Sequence, residues 1–209
     1  MSEVFDLMEK SKIIPVTTIA DAECAVPLAR ALFDGGIKII EITYRTAAAS
    51  RAISSVSAEC PEILAGAGTV TEISQAKEAI ACGAKFIVSP GTNMEIVDYC
   101  EERGIAVIPG VATPTEIARA VLEGCEVLKF FPAELFGGPA FLDAMKGPFS
   151  QVKFIPTGGI DAENTPLYLK KQNVLAVGGS WLVKKEFIDA HDWKTITDEA
   201  KRASAIARG

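Results

Sequence analysis

Lys129 is the residue of this chain best suited to covalent chemistry. It stands in Val127-Leu128-Lys129-Phe130-Phe131-Pro132-Ala133-Glu134, an apolar, strand-like run closed by proline. Removing an ammonium from water is costly, so a lysine enclosed in this way favours its neutral, nucleophilic form. Such an amine forms a Schiff base with a ketone. The plainer alternative is a lysine at a strand end, its stem on apolar surface and its head in water.

A proton carrier is the next requirement. Side chains alternate across a strand, so Ile39, Glu41 and Thr43 share one face of Ile39-Ile40-Glu41-Ile42-Thr43. If that face points inward, Glu41 is a carboxyl group shielded from water and able to take up and return a proton. A structural ion pair with a buried cation is the alternative. Arg45 follows with the same parity, and its planar fork suits a carboxylate or a phosphate; an exposed arginine at a helix start would look the same. Thr157-Gly158-Gly159-Ile160 and Gly178-Gly179-Ser180 follow two late strands, where backbone N–H groups can approach a phosphate and Ser180 can add a hydroxyl. Gly66-Ala67-Gly68-Thr69 closes an earlier strand, and Thr69 can hydrogen-bond a bound acid. The single histidine, His191, lies near a C-terminal helix and away from every strand exit, which argues against a catalytic histidine or a His-based metal site. Lys77, Lys85, Lys146 and Lys153 do not stand late in an apolar strand before a proline-marked exit.

The elements that must position these residues alternate along the chain. Apolar runs at 13–17, 37–43, 63–65, 85–88, 106–108, 127–130, 153–155 and 174–177 predict eight strands, separated by amphipathic stretches. Glycine before several strands, as in ACGAKFIV and EGCEVLKF, marks where a helix stops and the chain turns back. Caps are readable at Thr113 before Pro114 and Glu116, and at Asp161 before Glu163. Eight near-uniform units predict a closed (β/α)8 barrel with its chemistry at the C-terminal strand ends and a phosphate site after strands seven and eight. A doubly wound open sheet would bind at a switch in strand order instead. Extra helices are expected near 2–10 and 192–207, outside the repeating unit.

Composition sets the outer limits. The 209 residues suit one barrel domain over 1–209, and 49% hydrophobic residues suffice for a large core. A net charge of −6 without a basic block argues against nucleic acid as a partner and for a small ligand. The five cysteines, Cys24, Cys60, Cys82, Cys100 and Cys125, are scattered with no CxxC pair and read as core residues of a reducing cytosol. No leader pattern and no apolar run near the length of a bilayer crossing is visible, so a soluble, cytoplasmic protein is expected.

Taken together, EITYRT, GAGTV, SPG, IPGV, KFFPAE, PTGGI and GGSW resemble, in order and over nearly the whole chain, the KDPG/KHG aldolases, which act on 2-keto-3-deoxy-6-phosphogluconate. The resemblance implies a (β/α)8 barrel, a homotrimer and cofactor-free, metal-free Schiff-base chemistry. It implies Lys129 as the Schiff-base lysine and Glu41 as acid and base. It also implies Arg45 and Thr69 on the pyruvyl carboxylate, and Pro90 and Phe131 as pocket walls. Gly158, Gly159, Gly179 and Ser180 would contact phosphate, and Thr157 would sit near the aldehyde. The implied reaction gives pyruvate and glyceraldehyde 3-phosphate, with 4-hydroxy-2-oxoglutarate as a second substrate yielding pyruvate and glyoxylate. The first strand departs from the pattern, since some relatives carry arginine where this chain has Pro15-Val16-Thr17-Thr18. Phosphogalactonate aldolases share GAGT but usually differ at the lysine strand and after strands seven and eight. They remain the alternative, with a phosphate-binding synthase or isomerase and a noncatalytic sugar-phosphate binding barrel behind them.

Overall fold

Short apolar strands, each followed by a helix with one apolar stripe, bury both surfaces when the strands pair in parallel and the helices lie over them. The computed structural model, which describes residues 2–208, takes this form. In chain order the elements are α1 (Ser2–Ser11), β1 (Ile13–Thr17), α2 (Ala25–Asp34), β2 (Ile39–Thr43), α3 (Ala49–Glu59), β3 (Leu64–Gly68), α4 (Ile73–Ala81), β4 (Phe86–Val88), α5 (Met94–Glu101) and β5 (Ala106–Ile108). They continue with β6 (Gly110–Val111), α6 (Pro114–Leu122), β7 (Val127–Phe130), α7 (Gly138–Met145), β8 (Lys153–Pro156), α8 (Thr165–Leu169), β9 (Val177–Gly179), α9 (Lys185–Asp189) and α10 (Trp193–Arg208).

The strands run β5-β4-β3-β2-β1-β9 in one sheet and β6-β7-β8 in another, every pairing parallel. β5 and β6 are halves of one strand, parted at Pro109, which has no N–H to give the ladder. The Pro109 carbonyl accepts instead from the Lys129 N–H at 2.9 Å. Isolated bridges at Phe154–Val174 and Thr157–Gly178 join β8 to the last strand and close the cylinder. With the split strand counted once, this is the eight-stranded barrel expected from the sequence. Phe86, Phe130, Phe154 and Tyr168 are among its largest fully buried side chains.

Three expectations are corrected. The third strand extends to Gly68 and the last begins only at Val177, so Gly66, Gly68, Gly178 and Gly179 lie within strands and not in loops beyond them. Their inner face lacks room for side chains: a Cβ at Gly66 would overlap the Phe86 ring, and one at Gly178 the Thr157 hydroxyl. The third concerns α10, which completes the ring of helices and does not stand outside it. It packs on α2 and α8, with the Thr197 hydroxyl donating to the Ala31 carbonyl at 3.0 Å and the Ser204 hydroxyl to the Gly35 carbonyl at 3.0 Å. The elements added to the repeat are α1, which packs against β1 and β2 and buries Met8, and the short α9.

The expected turns hold. Gly83 and Gly124 precede β4 and β7 with φ of 99° and 86°, left-handed conformations in which L side chains are strained. Thr113 caps α6 in a capping box with Glu116, but Asp161 caps no helix: it accepts from the Glu163 and Asn164 N–H groups in a turn, and α8 starts only at Thr165.

Candidate active site

Register decides which side chains meet inside the barrel. Glu41 on β2 pairs with Val16 and Gly66, while Lys129 on β7 pairs with Gly110 and Ile155. Both point inward from opposite arcs of the cylinder, and their side chains are buried, 4% and 6% exposed. Lys129 Nζ lies 3.6 Å from Glu41 Oε1, an ion pair slightly too long for a hydrogen bond. Glu41 Oε1 has no hydrogen-bond partner, which is uncommon for a buried oxygen. Lys129 Nζ also stands 5.2 Å from the centre of the Phe131 ring. The lysine is therefore enclosed with a carboxylate as well as with apolar groups, so the two readings of Glu41 meet: it is an ion-pair partner and a proton acceptor in reach of the amine.

The rim residues divide into those brought to this pair and those left free. Thr157, 8% exposed, ends the inner face of β8, and the next two residues turn left-handed, with φ of 97° at Gly158 and 78° at Gly159. A Cβ at Gly158 would stand 3.3 Å from the Phe131 ring, so this turn sits beside the aromatic wall of the lysine. The N–H groups of Gly158, Gly159 and Ile160 donate to no protein acceptor among the described residues. Successive backbone N–H groups left free in this way are suited to receive an anion. Gly179 is buried under the Trp181 ring, and Ser180 is exposed just beyond β9. Thr69 and Pro90 are half-buried beyond β3 and β4. Thr69 has φ of 54°, a strained conformation for a β-branched residue of the kind that gathers at working sites. Arg45 is exposed two residues past β2 and makes no ion pair among the described residues. His191 lies elsewhere, with Nε2 3.6 Å from Cys24 Sγ and its ring stacked on Trp193. Among the described residues no three His, Cys, Asp or Glu side chains cluster to hold a metal ion, and no helix is long and apolar enough to cross a membrane.

A lysine and a carboxylate enclosed together, with a turn of free backbone donors beside them, fit comparison with one group of enzymes. The family model described as KDPG and KHG aldolase matches residues 4–199. The chain belongs to this aldolase family. The 2-dehydro-3-deoxy-phosphogluconate aldolase of Treponema pallidum is 47% identical over 197 residues, covering 94% of each chain. The KHG/KDPG aldolase of Escherichia coli is 41% identical over 197 residues, covering 94% of this chain and 92% of that protein. The solved KDPG aldolase of Legionella pneumophila, with pyruvate captured as a covalent carbinolamine intermediate, has a TM-score of 0.91 at 42% identity, covering 94% of this chain and 96% of that one.

As a KDPG/KHG aldolase family member the chain shows two site features that sequence reasoning missed. Gly68 leaves the space that the Glu41 carboxylate fills, since a Cβ there would overlap Oε1 and come within 2.6 Å of Cγ and Cδ. Parity along β3 puts Gly66 and Gly68 on one face, but only the pairing of Glu41 with Gly66 shows which side chain uses that space. Thr43, the next inward residue after Glu41, is locked at the mouth. Its hydroxyl donates to the Thr17 carbonyl at 2.9 Å and lies 2.8 Å from the Thr18 hydroxyl. The first strand, without an arginine, thus still supports the site through its backbone.

Proposed function

We propose that the protein is a Schiff-base aldolase that cleaves 2-dehydro-3-deoxy-6-phosphogluconate to pyruvate and glyceraldehyde 3-phosphate, and 4-hydroxy-2-oxoglutarate to pyruvate and glyoxylate. The observation that carries this reading is the buried approach of Lys129 Nζ to Glu41 Oε1 at 3.6 Å. Lys129 gives up a proton, with Glu41 the acceptor in reach, and its lone pair adds to the keto carbon. Glu41 returns that proton to the carbinolamine hydroxyl, and loss of water leaves a protonated imine and a carboxylate again. Glu41 then removes the proton of the carbon-4 hydroxyl, the bond between carbons 3 and 4 breaks, and its electron pair flows into the imine to give an enamine. The aldehyde departs, Glu41 returns its proton to carbon 3, and water releases pyruvate and free Lys129. Covalent catalysis of this kind divides one difficult cleavage into easier steps.

Arg45 and Thr69 bind the pyruvyl carboxylate, Pro90 and Phe131 wall the pocket, and Thr157 lies against the aldehyde carbon. The Gly158–Gly159 turn and Gly179 with Ser180 hold the phosphate, which 4-hydroxy-2-oxoglutarate does without. The same family resemblance supports a homotrimer acting in the cytoplasm. Leu135, Phe136 and Leu167 offer exposed apolar surface of the kind that subunits cover. Borohydride reduction with pyruvate, followed by peptide mass spectrometry, is expected to place a pyruvyl adduct on Lys129 alone. A folded, active protein without that adduct would sink the Schiff-base reading. Running the phosphogluconate and phosphogalactonate epimers side by side tests the epimer preference.

A further inference from the structure

Three successive carbonyls of the turn after β8 are gripped from outside it. The Thr157 carbonyl accepts from the Ala133 N–H at 2.8 Å, the Gly158 carbonyl from the Glu134 N–H at 3.1 Å, and the Gly159 carbonyl from Asn164 Nδ2 at 2.8 Å. A trans peptide sets its N–H opposite its carbonyl. Pinning these carbonyls therefore fixes the N–H groups that follow them: those of Gly158 and Gly159 face away from Ala133 and Glu134, and that of Ile160 faces away from the Asn164 amide.

The first two grips come from the backbone and the third from a side chain. Asn164 spans the turn with both ends of its amide, because Oδ1 also accepts from the Asp161 N–H at 3.0 Å while Asp161 Oδ1 holds the Asn164 N–H at 2.9 Å. A second brace acts from below. The Glu134 side chain lies so close to Gly159 that a Cβ there would come within 2.6 Å of Glu134 Cγ. Its carboxylate accepts a hydrogen bond from the hydroxyl of Tyr168, a fully buried side chain of α8. Burial, and then the bond to Glu134, push the Tyr168 phenol well above its ordinary range, so it stays a donor.

We propose that Asn164 and the Tyr168–Glu134 pair are positioning residues for the substrate's phosphate, acting through the orientation of the Gly158, Gly159 and Ile160 N–H groups. The proposal rests on the reading that this turn takes the phosphate. Neither device reaches the Lys129–Glu41 pair, so the losses must fall on the phosphorylated substrate.

Asn164→Ala removes the whole bridge, Asn164→Asp keeps the acceptor for Asp161 but loses the donor to Gly159, and Tyr168→Phe removes one hydroxyl and keeps the buried ring. With each variant, steady-state kinetics on 2-dehydro-3-deoxy-6-phosphogluconate are expected to show KM raised about tenfold, the scale of one lost hydrogen bond to a well-ordered group. On 4-hydroxy-2-oxoglutarate, which has no phosphate, kcat/KM is expected to stay within about twofold, there being no such bond to lose. Equal losses on both substrates, or no loss in any variant, overturn the proposal; if Asn164→Ala fails to fold, the other two variants decide. Wild-type protein assayed on the phosphorylated substrate and its dephosphorylated analogue separates the two levels. No KM preference for the phosphate removes the phosphate reading itself, whereas a preference that survives in all variants removes only the positioning role.

Discussion

Two opposite charges buried 3.6 Å apart are costly to desolvate, and such a pair adds little stability over well-packed apolar side chains. Lys129 and Glu41 are thus poor candidates for a structural device and good ones for a reaction that passes a proton between an amine and a carboxylate. Lys129→Ala is expected to abolish turnover, and Glu41→Gln to lower kcat about 100-fold or more, the range of general acid–base catalysis. Gly68→Ala offers a test that leaves both groups in the sequence. Its Cβ would take the space of the Glu41 carboxylate, so single-turnover rates should fall as they do for Glu41→Gln while circular dichroism stays that of the parent. A Gly68→Ala protein of parental rate would show that the carboxylate works from elsewhere. Lys129 and Glu41 were legible because a charge in an apolar strand is conspicuous and strand parity gives its direction. Gly68 was not, because an empty position has meaning only against the neighbour that fills it.

At the scale of elements, the α6 cap and the helix stops were readable from local chemistry, whereas the start of α8 and two strand boundaries were not. Glycine usually ends strands, yet Gly66 and Gly178 continue theirs because the facing Phe86 and Thr157 need the room. That is a tertiary cause, invisible to a local pattern. The start of α6 shows the local kind. The Ala112 N–H donates to Glu116 Oε2 at 2.8 Å and the Thr113 N–H at 2.9 Å, and with the Thr113 hydroxyl they hold the Glu116 carboxyl below the usual carboxylate range. A carboxyl depressed on folding contributes stability above its unfolded pKa of about 4.3 and loses it as pH falls through the lower folded value. Thr113→Ala is expected to cost about 1 kcal/mol in urea unfolding. Glu116→Gln, which cannot titrate, should flatten the acid limb of the stability curve between about pH 5 and 3. An unchanged acid limb would remove Glu116 from the linkage.

For the whole molecule, alternating strands and helices made the barrel legible, and the α1 helix with it. The place of α10 was not legible, because whether a final helix joins the ring depends on α2, the first helix after β1, lying beside it. Closure also governs the free thiols. Cys100 and Cys125 are buried and pushed up to about 11 by that burial, so at pH 8 only about one in a thousand of either is thiolate. Cys82 is half-buried. Iodoacetamide at pH 8 should therefore label Cys82 first and leave Cys100 and Cys125 unmodified until denaturant is added, as read by peptide mass spectrometry. Early labelling of the deep pair would mean that the barrel opens far more often than its packing implies.

The two isolated bridges between β8 and the last strand are a sparse join in an otherwise paired cylinder. A phosphate held by Gly158 on one side and Ser180 on the other would be a staple across that join. Occupancy of the site and cohesion of the wall then become one linked equilibrium, and the protein is hardest to pull apart while it holds its substrate.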